Sequence, residues 1–146
     1  MKKAVLIVLD GCGSDYLQQV KTPFLEEVAK KGYAGEVQAA VPTVTNVNTA
    51  SLLTARTPAD HGITGNSYFD SVKNMVKYMN NPTLILAETL FSRCVRRGIT
   101  TALLTVKDKL AYLLSTGAQI VVSAENAPEW VMQKLGAPPS VYDPHI

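Results

Sequence analysis

The first forty residues contain two apolar stretches separated by a helical pattern. Ala4–Leu9 is a continuous run of apolar, mostly branched side chains, which is typical of a strand buried on both faces of a parallel sheet. Thr22 and Pro23 then suit the cap and the first position of a helix, and Gly32 suits its end. Gly35–Ala40 is a second strand candidate. This region therefore predicts a strand, a helix and a strand.

The rest of the chain alternates between helical and strand patterns. The predicted helices are Val47–Thr54, Thr83 or Leu84 to Arg97 with Gly98 at its C′ position, Lys107–Ser115, and Pro128–Leu135 ended by Gly136. The predicted strands are Ile99–Thr105 and Gln119–Ser123, the predicted loops are Val41–Asn48 and Thr57–Tyr68, and Asn74–Asn81 is an excursion or a short hairpin. Strands that alternate with helices predict an α/β fold with a mainly parallel sheet sandwiched by helices.

Composition narrows the classes of protein. A length of 146 residues predicts one domain, and a formal net charge of +2 is too small to predict nucleic-acid binding. No apolar stretch approaches the roughly 20 residues of a membrane helix. Cys12 and Cys94 are far apart and form neither a disulfide nor a metal pattern. We therefore expect a cytoplasmic protein that binds neither nucleic acid nor membrane.

Two candidate catalytic residues lie where predicted elements begin or end. Asp10 directly follows the first predicted strand, and ligands of open parallel sheets bind beyond the carboxyl ends of the strands. Such a carboxylate could hold a metal, or it could simply cap a turn. Thr45 lies at or just before a helix N-terminus, where free N–H groups attract anions. Its hydroxyl could attack phosphorus, although ordinary helix capping by Thr45 or Asn46 is the alternative.

Two later segments carry further polar candidates. Asn66 follows Gly65 and could either adopt a turn conformation or donate an amide hydrogen bond to a phosphoryl oxygen. Lys107 and Lys109 follow the strand Ile99–Thr105 and could bind a carboxylate or phosphate, or could be a solvated helix start. The loop residue His61 could be a ligand, a base or a structural residue.

The order of several short motifs carries more information than any one of them. The sequence shows, in this order, Asp10-Gly11 after a strand, Thr22-Pro23-Phe24-Leu25, Pro42-Thr43-Val44-Thr45-Asn46, Ser51-Leu52-Leu53-Thr54 and His61-Gly62-Ile63-Thr64-Gly65-Asn66. Together they resemble the nucleotide pyrophosphatase/phosphodiesterase branch of the alkaline phosphatase superfamily, and within it the phosphonoacetate hydrolases. The resemblance extends from Val5 to about Tyr142 and implies an alkaline phosphatase-like fold.

The resemblance also implies roles for individual residues and a cofactor. It implies two zinc ions, with Asp10 and Thr45 as metal ligands and Thr45 as the nucleophile. Asn66 would donate a hydrogen bond to a phosphoryl oxygen, so it is both a catalytic and a substrate-binding candidate. Lys107 and Lys109 would hold the carboxylate of the substrate. The same resemblance suggests that His61 is structural.

The implied function is hydrolysis of phosphonoacetate to acetate and phosphate through a phospho-threonine. The alternatives are a nucleotide pyrophosphatase or phosphodiesterase of the same superfamily and a non-catalytic fragment, and a homodimer is a candidate assembly. A sulfatase is disfavoured because its nucleophile derives from Cys or Ser and position 45 is Thr. A catalytic zinc needs about three protein ligands, and His145 lacks the family's Asp-x-x-x-His spacing. We therefore expect residues 1–146 to be the N-terminal part of a hydrolase domain whose remainder is absent, with little activity alone.

Overall fold

The computed structural model describes residues 3–136, which form two compact units, one up to Ala39 and one from Ala40 onward. The first contains α1 (Ser14–Gln19) and α2 (Pro23–Lys31). The second contains α3 (Thr45–Thr54), α4 (Pro58–His61), β1 (Ser67–Asp70), β2 (Met75–Tyr78), a 3₁₀ turn (Pro82–Leu84), α5 (Leu90–Val95), β3 (Ala102–Thr105), α6 (Asp108–Leu114), β4 (Ile120–Ser123) and α7 (Ala127–Leu135). None of these helices is long and apolar enough to cross a bilayer. His145 and the proline-rich segment around it lie outside the described residues.

Helix α2 begins at Pro23, as predicted, although Thr22 does not cap it with its side chain. The backbone N–H of Thr22 instead donates to Oε1 of Glu26 at 3.4 Å. The N–H of Gly32 donates to the carbonyl of Val28 at 2.9 Å, so the helix ends at the predicted glycine. The Pro-first, Gly-last asymmetry of helix ends therefore defines this element.

The two strands predicted in the first forty residues are wrong. Ala4–Leu9 and Gly35–Ala40 have no regular secondary structure, and neither belongs to either sheet of the described chain. The side chains of Val5 and Ile7 are 83% and 74% exposed. A strand exists only when a neighbouring strand pairs with its N–H and C=O groups. The apolar pattern favours burial of the segment, but it does not provide the neighbouring strand that pairing requires.

The parallel pair of strands in the second unit confirms the α/β prediction. Strands β3 and β4 run parallel, with Ala102 opposite Ile120 and Thr105 opposite Ser123. Helix α6 makes the crossover between them, as parallel strands require. Both strands end where the sequence predicts, but each begins later than predicted because pairing starts only at Ala102 and Ile120.

The region around Asn74–Asn81 resolves into a hairpin, one of its two predicted alternatives. Strands β1 and β2 pair antiparallel, with Phe69 opposite Val76. Asn74 adopts a positive φ of 49° in the connecting turn, where asparagine is tolerated. Asp70 closes the turn by accepting a hydrogen bond from Lys77, and this bond lowers the pKa of Asp70.

The long helix predicted to end at Arg97 is divided, which corrects that prediction. After the 3₁₀ turn the chain is extended until Thr89, whose hydroxyl accepts a hydrogen bond from the N–H of Ser92 at 3.1 Å and starts α5. The same hydroxyl donates to the carbonyl of Thr116 at 2.7 Å. This buried threonine competes successfully with helix continuation. The predicted C′ glycine is confirmed, since Gly98 has φ +69°.

The predicted loop Thr57–Tyr68 also contains regular structure. Helix α4 has Pro58 at its first position and a capping box between Thr57 and Asp60. The hydroxyl of Thr57 donates to Asp60 at 2.7 Å, and this hydrogen bond lowers the pKa of the aspartate. Strand β1 then begins at Ser67, inside the predicted loop. Four-residue elements are too short for hydrophobic periodicity to reveal.

The core of the second unit joins helices to the end of the hairpin. Its buried members are the apolar residues Val47, Ala50, Leu53, Ile63, Met79, Leu113 and Leu114. Helix α3 contributes Val47, Ala50 and Leu53, whose spacing places them on one face. Full burial of a side chain of this kind stabilises the fold by about 1.5–3 kcal/mol. This core fixes α3 and α6 beside the residue that follows β2.

Candidate functional site

Thr45 is the first residue of α3, and the cap position before it is the extended residue Val44. The capping alternative for Thr45 is therefore not what the structure shows. The side chain of Asn48 ties the preceding loop to the helix: its Oδ1 accepts from the N–H of Ala40 at 2.9 Å, and its Nδ2 donates to the carbonyl of Ala40 at 3.3 Å. The loop is thus held against the first turn of the helix that carries Thr45.

One residue, Met79, connects this helix start to Asn66. The N–H of Met79 donates to the backbone carbonyl of Asn66 at 2.8 Å. The carbonyl of Met79 accepts from Nδ2 of Asn46 at 3.1 Å. Met79 is itself 6% exposed, and its bond with Asn46 is partly buried. The backbone of Met79 therefore places Asn66 close to the N-terminal turn of α3.

A lysine reaches the same region from α6. The ammonium of Lys109 lies 5.3 Å from the centre of the ring of Tyr78, the residue immediately before Met79. That distance is within cation–π range. Lys107 occupies the cap position of α6, and its carbonyl accepts a hydrogen bond from the hydroxyl of Thr105 at 3.0 Å. Both lysines are exposed.

The second unit thus contains Thr45, Asn66, Lys107 and Lys109: Met79 links the backbone of Asn66 to Asn46, the neighbour of Thr45, and Lys109 lies over the ring of Tyr78. Thr45 lies at the N-terminus of a ten-residue helix, a position whose free N–H groups suit an anion. Asp10 lies in the first unit, where it is exposed in the turn that continues into Gly11 with φ +69°.

A depression in the hairpin region does not include these candidate residues. It has a volume of about 560 Å³ and includes Tyr68, Lys77 and Tyr78 among its lining residues, but neither Thr45 nor Asn66. It shares only Tyr78 with the surroundings of Lys109. We therefore define the candidate site by the polar groups around Met79.

The described residues do not by themselves fit a zinc ion. Between residues 3 and 136, no group of three His, Cys, Asp or Glu side chains could hold a metal, whereas catalytic zinc takes about three protein ligands. Asp10 and Thr45 are two candidates, so further ligands would be needed.

His61 is buried and structural in its contacts. Its Nδ1 accepts from the N–H of Ile63 at 3.1 Å, which leaves the proton on Nε2 to donate to the hydroxyl of Ser51 at 2.9 Å. Burial lowers the pKa of His61, so the ring is neutral at pH 7. Both nitrogens are engaged, and the ring connects α4 to α3.

The sequence did not predict a role for Tyr78 or Met79, which contact the candidate site residues and their neighbours. Tyr78 is 69% exposed to solvent, whereas its neighbour Met79 is 6% exposed and belongs to the core. Only the polar side chain of Asn46 gave a local signal for this contact, and no local pattern pairs residues that are so far apart in sequence.

The fold and the site define a class of protein. The model of the type I phosphodiesterase/nucleotide pyrophosphatase family matches residues 4–145, and the chain belongs to that family within the alkaline phosphatase superfamily. The solved structures to which it is similar include phosphonoacetate hydrolase from Sinorhizobium meliloti 1021. In complex with phosphonoacetate, that enzyme is 33% identical over 65% of this chain, with a TM-score of 0.61. In complex with phosphonoformate, it is 29% identical over 83%, with a TM-score of 0.71. This chain spans 23% and 33% of those two chains.

Proposed function

We propose that this chain takes part in the hydrolysis of phosphonoacetate to acetate and phosphate, with Thr45 as the nucleophile. The observation that supports the proposal is that the N–H of Met79 donates to the backbone carbonyl of Asn66 while the Met79 carbonyl accepts from Asn46, the residue after Thr45 at the start of α3. The similarity to an enzyme solved with phosphonoacetate supports the substrate, and the family match supports phosphoryl chemistry.

The proposed reaction has two steps. The hydroxyl oxygen of Thr45 attacks phosphorus and gives its proton to water, while the carbon–phosphorus bond breaks. The electron pair of that bond leaves with carbon as the enolate of acetate, which takes a proton from water. Water then cleaves the phospho-threonine and releases phosphate.

The other residues bind and orient the substrate in this proposal. The amide of Asn66 and the first N–H groups of α3 donate to phosphoryl oxygens, which gain negative charge during attack. Lys107 and Lys109 bind the carboxylate by charge and hydrogen bonds. The substrate then spans the distance between the start of α3 and the start of α6.

Zinc is part of the proposal as a group that would neutralise phosphoryl charge when bound. Asp10 and Thr45 would contribute ligands, and the others would come from residues besides these. We expect weak zinc binding by residues 1–146, measured by competition with a chromophoric chelator and compared with Asp10→Ala. Tight binding of two zinc ions per chain would contradict this expectation.

The test of the nucleophile compares Thr45→Ala with the exposed neighbour Thr43→Ala as a matched control. Phosphate release from phosphonoacetate, with zinc added, should be abolished in the first variant and kept in the second. Mass spectrometry of acid-quenched protein should find a phosphoryl group on Thr45. Release that survives in Thr45→Ala would disprove this role, and no release from the unsubstituted chain would show that it does not act alone.

A nucleotide pyrophosphatase or phosphodiesterase is the second candidate, favoured by the description of the matched family. The two lysines discriminate between the candidates. Replacing Lys107 and Lys109 by alanine should reduce turnover of phosphonoacetate far more than turnover of a phosphodiester such as bis(p-nitrophenyl) phosphate. An equal loss for both substrates would favour the phosphodiesterase.

A further inference from the structure

The residue between the two candidate lysines makes an unusual set of contacts. Oδ1 of Asp108 accepts hydrogen bonds from the hydroxyl of Ser123 and, at 2.9 Å, from Nδ2 of Asn126. The N–H of Asp108 donates to Oε2 of Glu125 at 2.8 Å. The first residue of α6 is therefore attached through both its backbone and its side chain to the segment that follows β4.

The partners of Asp108 are themselves held in place. Ser123 is the last residue of β4 and is fully buried. Its N–H donates to Oδ1 of Asn126 at 3.0 Å, and the N–H of Asn126 donates back to the Ser123 hydroxyl at 3.2 Å. We call the three residues Asp108, Ser123 and Asn126 the clasp. Its polar atoms satisfy one another, and such closed networks rigidify their surroundings.

The clasp acts on a helix that has little stability of its own. Helix α6 has only seven residues, and short helices depend on tertiary contacts. Its C-terminal half is fixed by the buried residues Leu113 and Leu114, while its first turn carries exposed lysines. Positions 107–109 contribute no buried side chain to the core, so polar contacts such as those of the clasp are what hold this end of the helix.

We propose that the clasp is a positioning device that sets the spacing of Lys107 and Lys109 for one carboxylate of the substrate. This inference rests on the proposed function, since it assumes that the two lysines bind that carboxylate. The reason is preorganisation: two flexible cations bind one anion more tightly when their backbone is already ordered. The clasp side chains do not touch the substrate, and they act through the lysines on either side of Asp108.

The experiment measures binding of phosphonoacetate and of methylphosphonate, which lacks the carboxylate, by calorimetry with the unsubstituted chain and its variants. Asn126→Ala removes the partly exposed donor, and Ser123→Ala removes the buried one. Each should weaken phosphonoacetate binding roughly tenfold and leave methylphosphonate binding unchanged. Amide hydrogen exchange at positions 107–110 should accelerate in the same variants.

A matched control addresses the same helix at its other end. The hydroxyl of Ser115 donates to the carbonyl of Tyr112 at 2.9 Å, so Ser115→Ala perturbs α6 without touching the clasp. The control should retain the preference for phosphonoacetate. If it loses the preference as the clasp variants do, general helix stability is responsible and the proposal is overturned.

The remaining outcomes separate this inference from the proposed function. If the unsubstituted chain prefers phosphonoacetate and the clasp variants retain that preference, the clasp has no positioning role while the function stands. If the unsubstituted chain binds phosphonoacetate no more tightly than methylphosphonate, the lysines do not bind the carboxylate, and both proposals fail. Because Asn126 is not a core residue, its variant remains informative even if Ser123→Ala does not fold.

Discussion

The two units use similar apolar residues with opposite results. In the first, five consecutive apolar side chains from Val5 to Leu9 are between 51% and 83% exposed. In the second, Val47, Ile63 and Leu113 are completely buried. Hydrophobicity is the same kind of driving force in both, so the difference lies in whether neighbouring elements supply a surface to pack against.

The elements that carry the candidate site residues differ in packing in the same way. Thr45 begins a helix anchored in the core, and the backbone of Asn66 is bonded to the buried residue Met79. Asp10 follows an exposed segment that forms no strand. A site residue is placed precisely only when its own element is packed, and Thr45 has such a packed element in α3.

The largest expected effect on stability comes from replacing one leucine in each unit. Leu113→Ala should lower the free energy of unfolding by about 2–5 kcal/mol, because it leaves a cavity in the core. Leu6→Ala, at a side chain that is 66% exposed, should change it by less than about 0.5 kcal/mol. Urea denaturation followed by the fluorescence of Trp130 measures the second unit, and hydrogen exchange reports on both. A comparable loss from Leu6→Ala would show that the apolar run is packed in solution.

The sequence predicts the elements of this fold better than their partners. Pro23 and Gly98 mark helix ends because of their own backbone geometry, so their roles can be predicted from the sequence alone. The strand Ile120–Ser123 is also predictable because its pattern coincides with a real pairing. Ala4–Leu9 has an equally strong strand pattern, yet its state depends on a neighbour that local sequence does not encode.

The candidate site was predictable by residue type but not by arrangement. The hydroxyl at a helix start and the lysines after a strand follow from local patterns. That Met79 joins Asn46 to Asn66 depends on hydrogen bonds between distant segments. The contacts of Asp108 with Ser123 and Asn126 depend on the parallel pairing in the same way. Tertiary packing creates these relations, and no local signal specifies them.

A smaller effect is expected from polar anchors in the two units. Asn48→Ala removes the partner of the Ala40 N–H beside the candidate nucleophile and should cost about 1–3 kcal/mol. Asn48→Asp keeps that acceptor and loses only the amide donor, so it should cost less. In the first unit, Lys31→Ala breaks an exposed pair with Glu27 and should have no measurable effect. Denaturant midpoints measure all three, and equal losses at Asn48 and Lys31 would contradict the comparison.

The smallest effect at neutral pH is expected from His61, which tests whether the buried ring contacts persist in solution. Burial lowers its pKa in the folded state below the ordinary value of 6.5, so protonation favours the unfolded state. The free energy of unfolding should therefore be constant above about pH 6.5 and decrease as pH falls below that value. Asp60 and Asp70 also have lowered pKa values, but their contributions are lost only below their ordinary 3.8, outside this window.

Urea midpoints between about pH 7.5 and 5 measure the pH dependence of stability that is expected from His61. The slope should disappear in His61→Gln and remain in His145→Gln. A slope that disappears only in His145→Gln, or no slope at all, would show that His61 is not buried as the hydrogen bonds to Ser51 and Ile63 require.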